Sequence, residues 1–114
     1  MMKPRNWMLG LALAAGIGIG TVQAATVTTA WEAISDGQDA CLNTGVEATR
    51  QAGFRGSISN DRQTVFGWRG DDSIAIRCIG DRRLAVIFIY VVSREDNNAL
   101  LQTVRNTYRR PTKG

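Results

Sequence analysis

Two cysteines that follow an export signal constrain this chain more than any other feature. Lys3 and Arg5 give a positive start, Trp7 to Ile19 an apolar stretch, and Val22-Gln23-Ala24 the small-residue pattern of a cleavage site. The stretch falls short of the roughly 20 apolar residues that a membrane-spanning helix needs, and Gly10, Gly16, Gly18 and Gly20 dilute it. Residues 1–24 therefore read as a cleaved signal peptide, which leaves no stable membrane span and a mature protein that is periplasmic or secreted. In such an oxidising compartment Cys41 and Cys78, even in number and far apart, are expected to form one structural disulfide rather than a metal pair or a CxxC redox site. Closing so long a loop stabilises a fold by about 3 to 4 kcal/mol in the chain-entropy model.

Removing 24 of the 114 residues leaves 90, enough for one small domain and not for two. The division expected is an N-terminal arm or short strand over 25–35, one α+β domain over 36–110, and a tail over 111–114. Lys3 and Arg5 leave with the signal, so the mature chain is only weakly basic, and nearly all its cations are arginine, suited to bidentate contacts with carboxylate or phosphate. The chain has no histidine. That removes the commonest general base near neutral pH and the commonest metal ligand, so hydrolytic triads and most zinc sites are excluded. No cofactor, no metal and no enzymatic activity are expected.

Pattern supplies the elements. Ser35-Asp36-Gly37-Gln38 resembles a capping box, and Cys41, Leu42, Gly45, Val46, Ala48 and Ala52 recur at helical spacing, which predicts a helix from Gln38 to Ala52 stopped by Gly53. Gly45 weakens that helix, and close packing against a sheet would account for it. Thr64 to Arg69, Ser73 to Ile79 and Arg83 to Val92 read as three strands separated by Gly70-Asp71-Asp72 and Gly80-Asp81-Arg82. Ser93-Arg94-Glu95-Asp96 opens a second helix with Leu100, Leu101, Val104 and Tyr108 as its apolar face, ended by Pro111. The expected fold is α-β-β-β-α: a three-stranded antiparallel meander with both helices on one face.

Three-residue loops would set Phe66 and Trp68 opposite Ile76 and Ile74, with Val86 and Phe88 on the other side, and aim Cys78 at the helices beside Cys41. The same register leaves a second face bearing Val65, Ile87, Ile89 and Val91, with Arg69 and Arg77 among them. Leu84 to Val92 is apolar on both sides, so that face needs a cover. Two covers compete: the segment Thr26 to Ile34, folded over the face or added as a strand beside the third, and a protein partner or second copy, which the third strand can also meet edge to edge.

Trp68 beside Arg69 is the aromatic best suited to a recognition point, if the core leaves its ring uncovered. Arg62, Arg69, Arg77, Arg82 and Arg83 form a second candidate, for an anionic envelope lipid or glycan, although Asp61, Asp71, Asp72 and Asp81 lie between them and favour an ordinary solvated surface. Nucleic acid is not expected. The element order is shared with the double-stranded RNA-binding domain, but the Lys-rich start of its second helix is missing. The reading that follows is a non-catalytic, disulfide-stabilised protein-binding module, with Val65, Trp68, Arg69, Arg77, Ile87, Ile89 and Val91 as its candidate surface.

Overall fold

The computed structural model describes residues 25–93 and 96–110; the expected signal peptide, Arg94 and Glu95 of the helix opening, and the tail with Pro111 lie outside them. The chain runs β1 (Thr26–Ala33), α1 (Gln38–Gln51), β2 (Arg55–Ile58), β3 (Thr64–Arg69), β4 (Asp72–Ile79), β5 (Leu84–Val91) and α2 (Asn97–Arg109), with a short 3-10 turn at Gly80–Arg82 before β5. The fold is α+β. Its sheet is larger than the three-stranded meander expected: five strands in the order β1-β5-β4-β3-β2, every neighbouring pair antiparallel. The Thr-rich run at 26–29 pairs with β5 along its whole length, and Arg55–Ile58 pairs with β3.

The register departs from the expected one, for a reason that lies in the loops. β3 and β4 are joined by Gly70 and Asp71 alone, since Arg69 pairs with Asp72, and Gly70 takes the positive φ of 58° that so tight a turn requires. β4 and β5 are joined by four residues, Ile79 pairing with Leu84, and Arg83 closes that turn in the left-handed region at φ 53°. Each loop differs from three residues by one, and a one-residue slip turns every side chain of a strand to the other face. Ile74, Ile76 and Cys78 of β4 do point at the helices. Phe66, Trp68 and Phe88 point away from them, and Val65, Ile87, Ile89 and Val91 take the core positions, each at most 2% exposed. This corrects the face assigned to those four residues from sequence.

Both helices cover the same side of the sheet. α1 contributes Leu42, Ala48 and Thr49 and α2 contributes Leu100, Leu101 and Val104 to a mainly aliphatic core. A Cβ on Gly45 would lie 2.8 Å from the Tyr108 hydroxyl and 2.9 Å from Val65 Cγ2, so the expected close approach is real. Opposite it, Gly56 and Gly67 are directly paired on β2 and β3 and form a notch that Thr49 fills; a Cβ on Gly56 would fall 2.4 Å from Thr49 Oγ1. The Cys41–Cys78 disulfide joins α1 to β4, with Cα atoms 6.0 Å apart.

The helix ends differ from expectation. α1 begins at Gly37 with no side-chain cap, and the Gln38 side chain instead accepts from Gly80 N–H and donates to the Cys78 carbonyl, tying the helix start to the end of β4. Asp96 caps α2 by accepting from the Asn98 N–H at 2.9 Å. Ser93 turns elsewhere, its hydroxyl donating to Asp72.

Two buried carboxylates tie separate elements together, one within the sheet and one between sheet and helix. Asp72, at the start of β4, accepts from Ser93 Oγ and Val92 N–H at 2.8 Å, from Ser93 N–H at 3.2 Å and from Arg69 Nη2 at 3.2 Å. Glu32 on β1 is held by Arg105 and Arg109, one turn apart on α2. For both acids burial acts to raise the pKa but is outweighed. Hydrogen bonds from Ser93, the Val92 backbone and Arg69 hold Asp72 below its ordinary value, and Arg109 and Arg105 do the same for Glu32. A carboxyl whose folded pKa lies below its unfolded one stabilises the fold above the unfolded value, and that contribution is lost as pH falls through the folded one. The melting temperature is therefore expected to decline below pH about 4.5 and more steeply further down, with a shallower decline in Asp72→Asn. Thermal melts across that range check it.

Candidate functional site

The side of the sheet away from the helices is open, and its residues follow from the register. One row across the strands reads Val27, Tyr90, Ser73, Trp68 and Arg55; the next reads Thr29, Phe88, Ala75, Phe66 and Ser57; a third reads Trp31, Val86, Arg77 and Thr64. Five of the seven aromatic residues among those described lie here, while Phe54 and Tyr108 pack inside. Trp31, Phe66, Trp68, Phe88 and Tyr90 are 42 to 63% exposed and Val27 is 64% exposed. The core beneath is mainly Ile, Val, Leu and Ala, with Phe54 and the Cys41–Cys78 disulfide among them. Contiguous exposed apolar surface of this kind is unusual on a soluble domain and marks interaction sites.

The face has relief. Small residues on the middle strand, Ser73 and Ala75 of β4, lie between Phe66 and Trp68 on β3 and Phe88 and Tyr90 on β5. The result is a trough of about 290 Å³ with aromatic walls and a low floor. Strands lie about 4.8 Å apart, so the two walls rise roughly 10 Å from each other, wide enough to admit one flat or branched apolar side chain between them. Arg55 and Arg77 are the charged residues of the face, which carries no acid. Arg77 donates to Gln63, just before β3.

Of the residues singled out from sequence, Trp68 and Arg77 belong to this surface. Val65, Ile87, Ile89 and Val91 belong to the core. Arg69 lies on the helix side, its guanidinium 4.4 Å from the centroid of the Phe54 ring and bonded to Asp72 and the Ala52 carbonyl. Sequence reasoning missed Trp31, Phe66, Phe88 and Tyr90. A signal for Phe66, Phe88 and Tyr90 existed: β3 and β5 each carry their aromatics on one parity only, and β5 carries Ile87, Ile89 and Val91 on the other. Ile and Val are among the residues most often fully buried, whereas Trp and Tyr rarely are.

The remaining arginines do not converge. Arg62 pairs with Asp39 at 3.1 Å, and Arg83 donates to the Ser35 carbonyl at 2.9 Å. A shallow hollow of about 450 Å³ does bring Arg62 and Arg77 together, but Asp61 and Asp81 line it too. A smaller hollow of about 210 Å³ lies between the helices over Cys41, beside Tyr108, whose hydroxyl donates to the Cys41 carbonyl and whose phenol is pushed well above its ordinary pKa by burial. Among the described residues no three His, Cys, Asp or Glu side chains are grouped closely enough to hold a metal ion, and no helix is long and apolar enough to cross a membrane.

Fold and site together define a small disulfide-bonded α+β domain with an aromatic sheet face. No protein-family model matches the chain, and neither does any curated protein.

Proposed function

We propose that the protein is an exported, non-catalytic binding module that works by protein contact through the open aromatic face of its sheet. The observation that carries this reading is the distribution of aromatics: five of the seven described rings face outward on one surface, above a core that is mainly aliphatic. Composition supports it further. Protein interfaces are enriched in Trp, Tyr, Phe and Arg and depleted in Lys, Glu and Asp, and the face carries two arginines with no lysine and no acid. Export to the periplasm or beyond rests on the N-terminal signal pattern and agrees with a disulfide between Cys41 and Cys78.

The test is capture from an envelope extract by the oxidised protein and by a Phe66→Ser, Trp68→Ser variant whose thermal melt shows it to be folded. A protein retained by the parent and lost by the variant, whether another protein or a further copy of this chain, is the expected result; identical captures by parent and variant would count against contact at this face. An alternative, recognition of an anionic envelope lipid or glycan by arginine, has Arg55 and Arg77 in its favour. Salt separates the two, because capture through arginine weakens steeply with ionic strength and capture through aromatic rings does not.

A further inference from the structure

We propose that the occupant of the aromatic face is a second copy of this chain, packed sheet against sheet in a two-fold dimer; the proposal rests on the reading of that face as a contact surface. The first argument is area. With roughly 150–250 Å² carried by each aromatic side chain, the exposed fractions of the five rings and Val27 amount to on the order of 600 Å² of apolar surface per copy. Two such faces pressed together bury on the order of 1,200 Å², which reaches the lower end of what specific interfaces bury. A single copy leaves uncovered a patch at the upper limit seen on monomers, about 300–600 Å².

The second argument is shape. Across the face the relief alternates: the ridge of Phe66 and Trp68 on β3, the trough of Ala75 and Ser73 on β4, the ridge of Phe88 and Tyr90 on β5, then Thr29 between Val27 and Trp31 on β1. A two-fold axis in the interface, parallel to the strands and midway between β4 and β5, exchanges those two strands. The β5 ridge of each copy then enters the β4 trough of the other. The same operation lays the β3 ridge over β1 of the second copy, where Thr29 is the low point. Sheets packed face to face in this way keep their strands within about 30° of each other, with ridges interdigitating across a layer about 10 Å thick.

Charge permits this arrangement. β2 has no strand of the second copy above it, so Arg55 stays in solvent, and the guanidinium of Arg77 is drawn toward Gln63 at the end of the sheet. The face carries no acid and no lysine; the one like-charged pair that the axis brings near itself is Arg77 and its copy, each over Val86 of the other copy, so the arrangement requires both guanidiniums to keep their outward turn toward Gln63 and solvent.

Sedimentation equilibrium on the oxidised protein produced from the full-length chain, from micromolar to near-millimolar concentration, tests the proposal. The expected result is a reversible monomer–dimer equilibrium. Ala75→Trp, which fills the trough, and Phe88→Thr, which removes a ridge, are each expected to weaken the dimer by about tenfold or more, because each change enters a two-fold interface twice. Glu47→Arg, on the outer side of α1, is expected to leave it unchanged. Both face positions are at least partly exposed, and a cooperative thermal melt of each variant shows that it has folded. A parent that stays monomeric throughout overturns the second-copy occupant alone and leaves the face to another protein, which the envelope capture would then reveal. A dimer indifferent to both face substitutions also overturns it, since the contact then lies elsewhere.

Discussion

Ile87→Asp is expected to unfold the domain, whereas Phe88→Asp, one residue further along the same strand, is expected to leave it folded. Ile87 sits at the middle of the sheet between Ala30 on β1 and Ile76 on β4, beneath the helices and fully buried. An unpaired carboxylate at that position costs several kcal/mol, comparable with the roughly 5–15 kcal/mol that holds a whole domain together. Phe88 faces the other way and is 44% exposed. Its replacement gives up some cross-strand packing and β-propensity, about 1 kcal/mol. Urea titrations of the two variants beside the parent read the difference directly. Equal damage at both positions would mean that β5 does not have one buried and one open face.

Removing the disulfide has the second largest expected effect. Cys41 and Cys78 are both 2% exposed and join the helical layer to β4, with strands on both sides. Opening the loop they close should cost about 3 to 4 kcal/mol in the chain-entropy model. For a domain of this size each kcal/mol moves the melting temperature by about 4–8 °C, so Cys41→Ala, Cys78→Ala should melt at least 10 °C or so below the parent. A double variant that melts within a few degrees of the parent would show that the unfolded chain gains little freedom when the loop is opened, and would contradict the assigned contribution.

What the sequence revealed and what it hid follow from the range of the interactions. α1 was legible because its apolar spacing and the Gly53 stop are local, and Gly45 announced a close approach through its own helix penalty. The helix-facing parity of Ile74, Ile76 and Cys78 was also readable, since parity within a strand is fixed by the pleat. The faces of β3 and β5 relative to β4 were not, because they turn on whether a loop has two, three or four residues, and Gly70-Asp71-Asp72 fits more than one of those. Assuming that the largest rings belong inside then favoured the wrong parity. Asp72 read as an ordinary turn residue, yet its carboxylate reaches the Val92 and Ser93 N–H groups at the end of β5. Glu32 depends on Arg105 and Arg109, more than seventy residues away in sequence, and no local signal marks it.

The outward aromatic face as the surface of contact is tested most directly by site-specific photo-crosslinking in the producing cell. A benzophenone-bearing residue replaces Trp68 on the open face in one protein and Gln51 at the exposed end of α1 in another. Cross-links formed from position 68 and not from position 51, whether to a second copy or to another protein, are the expected result. Cross-links of equal yield from both positions, or from position 51 alone, would contradict it.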